Sequence, residues 1–273
     1  MIGKRHEAIG IKQTIRFEWM QKAAHLLLAG LDAKTIRQEL HEFLADRKGN
    51  GSEGERSDQT RTFVVNNLMK IWASPDPELT SFRDASLAFL RENPAMALAV
   101  HWGMISAVYP FWFNVARQTG RLLALQDQVT QTQIINRLKE QYGDRQTVSR
   151  YARFVIRSFV AWGVLKDSKA RGCYEKSAPV NVADSDLAIL MFESALHATP
   201  EAKGVLGLLL NNPAFFPFQL PVMTGHCVSP CSDRVKIEKL GLDDLYLLPR
   251  TVAPANPHHP KTAHGQDLRT ECD

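Results

Sequence analysis

Residues 130–176 read TQTQIINRLKEQYGDRQTVSRYARFVIRSFVAWGVLKDSKARGCYEK, and this stretch decides both the fold and the functional expectation. On a helical wheel of 100° per residue, Val148, Ala152, Val155, Phe159 and Trp162 fall within about 40° of one another's mean direction. Gln146, Arg150, Arg153 and Arg157 gather about the opposite pole. One face therefore seeks a core and the other carries guanidinium groups. Asp144 is a candidate N-cap for this helix, and Gly163 can adopt the left-handed backbone that ends it. A helix over about 145–162 is roughly 27 Å long. Upstream, Thr132 is a candidate cap for a shorter helix with Ile134, Ile135, Leu138 and Tyr142 at helical spacing, and Gly143 supplies the turn. Downstream, Val164-Leu165 and Cys173-Tyr174 bracket a polar turn holding Lys169 and Arg171, the pattern of a short basic hairpin.

Helix, tight turn, helix and basic hairpin together resemble the winged helix-turn-helix superfamily. That resemblance implies a second helix laid into the major groove and a hairpin resting on adjacent backbone. It places Arg145 to Arg157 on the recognition helix and Lys169 and Arg171 at the wing tip. Gln146, Ser149, Arg150 and Arg153 are then expected to face base edges, and Arg145, Arg157, Lys169 and Arg171 to hold phosphates.

Charge follows the same division. Residues 145–176 hold eight Lys or Arg against two acids, net +6, in a chain of formal net charge +4, so the remainder is net −2. Cations clustered on one exposed face gain by releasing the counterions condensed on a duplex.

Outward from this segment, residues 13–126 carry successive helix signals and no repeat. Helices are expected over about Thr14–Ala29, Ala33–Arg47 with Asp32 as cap, Thr60–Ala73 and Pro77–Arg91, and residues 1–12 are expected to be frayed or lightly ordered. Residues 48–59, KGNGSEGERSDQ, read as a flexible connector, because the glycines lack phosphate-loop spacing and no Gly-Lys-Ser/Thr follows. Residues 95–113, AMALAVHWGMISAVYPFWF, approach the length of a membrane span. His101, Gly103, Ser106 and Pro110 interrupt them, so two helices buried in a core, packed through aromatic side chains, are expected in place of one span.

On the C-terminal side, Pro179–Val182 is a candidate strand, Asp184 or Ser185 can cap a helix to about His197, and a further helix is expected from Pro200 to Asn211. Residues 213–221, PAFFPFQLP, are too proline-rich for a helix and too apolar for water, so they should dock as a strap, on this chain or on a partner. Arg234–Lys239 and Leu245–Leu248 have the alternation of a hairpin. Residues 251–273 lack apolar anchors and read as a disordered tail.

The expectation is a mostly α protein with an all-helical N-terminal region (1–126), a central winged helix-turn-helix (127–182), a helical and β-hairpin extension (183–250) and a tail (251–273). A helical region feeding a winged helix with a further C-terminal portion is similar to the BrxA-like accessory proteins of bacterial phage-exclusion (BREX) systems. The resemblance implies a DNA-binding role in phage defence, with transcription regulation as the neighbouring expectation.

Other chemistry is sparse. The four cysteines are scattered and the N-terminus has no apolar signal core, so a reducing cytoplasm is expected, without membrane association. His226, Cys227 and Cys231 form one short-spaced set where a structural zinc site wants two, so neither metal nor cofactor is expected. No Gly-x-Ser-x-Gly, His-Glu-x-x-His, kinase or P-loop signature occurs, which points away from an enzyme. The expected partner is double-stranded DNA, with protein subunits of a defence complex as further partners. The alternative is a protein-assembly subunit whose winged helix and Phe-Pro segment bind other proteins.

Overall fold

The N-terminal segment is more firmly held than frayed or lightly ordered residues would be, because Arg5 fastens it through polar contacts. The computed structural model describes residues 3–225, 228, 234–240 and 244–249. Helix α1 (Gly3–Glu7) is a single turn and a half, yet Arg5 donates to the carbonyls of Ala107 (2.6 Å) and His197 (2.9 Å). His6 is buried, and Ile11 and Ile15 are fully so. Those partners lie about a hundred residues or more away, beyond the reach of local periodicity.

Helices α2 (Phe17–Leu28) and α3 (Ala33–Phe43) form the expected hairpin, with Gly30 at φ 80° and the Asp32 carboxylate accepting from the amides of Lys34 and Thr35. The polar connector follows, pinched by a bridge between Arg47 and Glu53. Helix α4 (Asp58–Leu68) continues into a π-helical turn (Met69–Ala73), and a 3-10 turn (Pro77–Leu79) leads into α5 (Thr80–Glu92).

The uncharged run folds as α6 (Ala97–Val108) and α7 (Pro110–Leu123), bent by 117° at Tyr109–Pro110. Proline starts α7 where its missing N–H costs nothing. Every residue of α6 except Leu98 is buried, so no face of this helix needed a charge. Among the described residues no single helix is long and apolar enough to cross a membrane.

Strand β1 (Gln128–Thr130) then leads into α8 (Gln131–Tyr142), α9 (Gln146–Ala161), β2 (Leu165–Asp167) and β3 (Cys173–Lys176). The three strands form an antiparallel sheet in the order β1-β3-β2, with Val129 opposite Tyr174 and Asp167 opposite Tyr174 on the other edge. Strand β1 goes beyond the sequence expectation: three residues are too few to show alternation, and the strand exists only through its pairing with β3.

Two caps also differ. Thr130, in place of Thr132, caps α8 in a reciprocal box with Gln133. Arg145 occupies the N-cap of α9 without a side-chain cap, while Asp144 pairs with Lys139 at 2.8 Å. Gly143 (φ 81°) makes the turn between the helices.

Strand β4 (Val180–Asn181) precedes α10 (Ser185–Ala198), capped by Asp184. α10 packs along α6 and is buried over most of its length. The helix expected from Pro200 shrinks to α11 (Leu206–Leu210), because Ala202 takes a positive φ of 47° and β5 (Gly204–Val205) is drawn into a sheet. β6 (Phe218–Gln219) pairs in parallel with β4, and β7 (Val235–Leu240) and β8 (Asp244–Pro249) form the expected hairpin, with β5 on the free edge of β8.

The Phe-Pro strap closes on the chain itself. Phe215, Phe216 and Phe218 are buried, Trp102 Nε1 donates to the Ala214 carbonyl (3.1 Å), and the Trp102 ring lies 5.8 Å from both Phe216 and Phe218. The aromatic side chains of the strap are therefore covered from within. Buried residues from the N-terminal helices, the β1–β3 region and the C-terminal elements join in one contiguous core. The fold is mostly α. His226, Cys227, Cys231 and residues 251–273 lie outside the described residues.

Candidate nucleic-acid interface

The rotation of α9 about its own axis is set from behind. Val148, Ala152, Val155, Ile156 and Phe159 are fully buried, and Phe159 packs at 5.0 Å from Trp102 and 4.9 Å from Trp112 between ring centroids. Aromatic contacts of this kind are directional as well as apolar. Two hydrogen bonds add to the lock. The Ile15 amide donates to the Ser158 hydroxyl (2.9 Å), and Trp162 Nε1 donates to the Ile15 carbonyl (2.9 Å). With its back held by the first helical region, α9 has one way to face.

The outward face is the basic one. Arg145, Gln146, Arg150, Arg153 and Arg157 are exposed, Ser149 is half-buried, and Lys169 and Arg171 are exposed on the β2–β3 turn. A groove runs along each flank of α9. The larger, about 720 Å³, lies between α9 and the hairpin and is lined by Gln131, Thr132, Arg153, Arg157, Asp167 and Arg171. The other, about 660 Å³, lies towards α8 and is lined by Lys139, Asp144, Gln146, Ser149, Arg150 and Arg153. Arg153 belongs to both.

Comparison with family models, curated proteins and solved structures gives no match for this chain. The site is therefore read from its own geometry.

The eight residues singled out in the sequence divide by what already holds them. Arg150, Arg153, Lys169 and Arg171 have no ion-pair partner among the described residues. Gln146 and Ser149 share the second groove with Arg150. Arg145 is committed elsewhere: its Nε and Nη2 donate to the Tyr142 carbonyl at 3.2 and 2.7 Å, satisfying an end of α8. Arg157 is also engaged, donating from Nη1 to Asp167 Oδ1 at 2.6 Å. Burial opposes the Arg157 charge, but the Asp167 carboxylate and the Tyr174 hydroxyl together raise its pKa above the ordinary arginine value.

Reading the sequence alone missed Lys139, Gln131 and Thr132 as groove residues. Gln131 and Thr132 sit in the first turn of α8, and the Thr130-x-x-Gln133 box was the signal that could have located that turn beside the groove. Lys139 carried only a weak signal, a cation in the last turn before Gly143. Cys173 is half-buried in the wall of the larger groove and, among the described residues, pairs with no other cysteine. Among the described residues no three His, Cys, Asp or Glu side chains meet as metal ligands. What the surface offers is an exposed helix with cations along both flanks that have no ion-pair partner among the described residues, and with neutral hydrogen-bonding groups in the groove towards α8.

Proposed function

We propose that this chain binds double-stranded DNA without catalysis, as a winged helix-turn-helix protein that presents α9 to the major groove and the β2–β3 hairpin to the adjacent backbone. The observation that carries the reading is the position of Arg153, which lines both grooves and shares one with Arg150 and the other with Arg171. Cations with no ion-pair partner among the described residues thus lie on either side of one exposed helix. A duplex presents two phosphate strands on either side of a groove that admits a helix. Gln146 and Ser149 lie where neutral donors and acceptors would meet base edges. In both settings read from the sequence, a phage-defence accessory factor or a transcriptional regulator, the same face makes the contact.

The test is binding of purified protein to a labelled random-sequence duplex across a salt series, beside the Arg150→Glu/Arg153→Glu variant. Wild-type binding that weakens steeply with salt and is lost in the variant is expected. No binding at low salt, or a variant that binds with an unchanged salt slope, overturns the reading.

A further inference from the structure

Arg157 and Asp167 face each other across the larger groove. Arg157 projects from α9, and Asp167 closes β2 directly opposite Tyr174 of β3. The guanidinium donates to the carboxylate at 2.6 Å, and Tyr174 lines the same groove. Their side chains are 48% and 53% exposed, so the pair stands in water, where ion pairs add little to stability. Nor does the hairpin depend on it. β3 is hydrogen-bonded on both edges, by β1 and by β2, and α9 is anchored by its aromatic stripe.

The consequence of the pair is electrostatic. Asp167 puts a negative charge into a groove whose other charged lining residues are Arg153, Arg157 and Arg171. A guanidinium fork recognises carboxylate and phosphate by the same planar geometry. The carboxylate therefore holds the donor that a backbone phosphate would use.

We propose, resting on the duplex reading above, that Asp167 is an intramolecular competitor for DNA phosphate: it occupies Arg157 in the free protein and must be displaced on binding. The displacement gives up only a weak exposed pair. It also leaves the Asp167 charge beside the incoming backbone, so affinity for DNA of any sequence is held down. A segment of net +6 is thereby kept from binding every duplex tightly.

The test compares the wild type, Asp167→Asn, Arg157→Gln and the double variant, by fluorescence anisotropy on a labelled random-sequence duplex across a salt series, with melting temperatures recorded. Asp167→Asn keeps the side-chain shape and an oxygen that accepts from Arg157 while removing the charge. Asp167→Ser removes the charge in another way, should the amide disturb the strand end. The expected result is several-fold tighter binding by the charge-neutral variants, with a salt slope steeper by about one, the equivalent of one more phosphate neutralised. The gain should shrink when Arg157 is glutamine, as coupled residues require. Binding equal to or weaker than wild type in the folded variants overturns the proposal while leaving the duplex reading intact. A gain undiminished in the Arg157→Gln background overturns it as well. A wild-type protein that binds no duplex removes the duplex reading and this inference together.

Discussion

The Cβ that Gly120 lacks would lie 1.9 Å from the carbonyl oxygen of Pro213 and 2.8 Å from its carbonyl carbon. Helix α7 and the Phe-Pro strap thus meet backbone to backbone, at a distance only glycine permits. Gly120→Ala gains up to about 1 kcal/mol of helix propensity but must push the strap away. Overpacking of this kind costs about 1–3 kcal/mol, and the obstacle here is backbone that cannot swing aside. Urea denaturation should show a net loss of stability. A variant as stable as the wild type would mean that the strap is not seated on α7.

Phe216 should behave as a core residue and not as a contact for other proteins. It is 8% exposed and packs 5.8 Å from Trp102 and 5.9 Å from Phe159. Phe216→Ala is expected to destabilise the fold by about 3–5 kcal/mol. Because Phe159 lies on the back of α9, the same change should also weaken duplex binding. Unfolding curves that overlay those of the wild type would make the strap a free surface again.

On the proposed duplex reading, residues that hold phosphate and residues that read bases should separate by salt dependence. Lys169→Gln/Arg171→Gln is expected to weaken binding to all duplexes alike and to lower the salt slope by about 0.9 for each phosphate left without its cation. Gln146→Ala/Ser149→Ala should leave that slope unchanged and relax whatever sequence preference selection from a random library reveals. Equal slopes for the first variant and the wild type would take the hairpin tip out of the interface.

His101 should make the fold acid-sensitive. It is fully buried against Phe17 and Trp72, and among the described residues neither ring nitrogen has a hydrogen-bond partner. Burial, with a smaller contribution from His25, lowers its pKa from 6.5 to about 3. Above pH 6.5 the ring is neutral in both folded and unfolded chains and adds no pH dependence. Between 6.5 and about 3 the unfolded chain takes up a proton that the folded one refuses. Stability should therefore fall with pH over that window, by up to about 1.4 kcal/mol per unit. His101→Phe should flatten the dependence measured from pH 7 to 5. An unchanged slope would assign the acid sensitivity to other groups.

The fastening of α9 gives a further stability test. Ser158→Ala removes the acceptor for the buried Ile15 amide and should cost about 1–3 kcal/mol, more than a surface serine could. Loss of duplex affinity beyond the loss of folded protein would show that the N-terminal segment also sets how α9 is presented. A cost below about 0.5 kcal/mol would place the hydroxyl outside the fastening.

Several features were legible in the residues because their causes are local. The apolar stripe from Val148 to Trp162 and the arginines opposite it follow from 3.6 residues per turn, and the burial of one and the exposure of most of the other agree with it. The turns at Gly30, Gly143 and Gly163 reflect left-handed backbone that only a missing Cβ makes easy. Pro110 broke the uncharged run where its ring forbids a continuing helix. Tertiary structure alone decided the rest, because each outcome depends on groups distant in the chain. β1 exists only as the partner of β3, Arg5 reaches the carbonyls of Ala107 and His197, and the strap seats on Gly120. The same holds within the interface. Sequence told which arginines share a face, but whether each is free was settled by the Tyr142 carbonyl beside Arg145 and the Asp167 carboxylate beside Arg157, since a charge is available to a ligand only where folding has left it without a nearer partner.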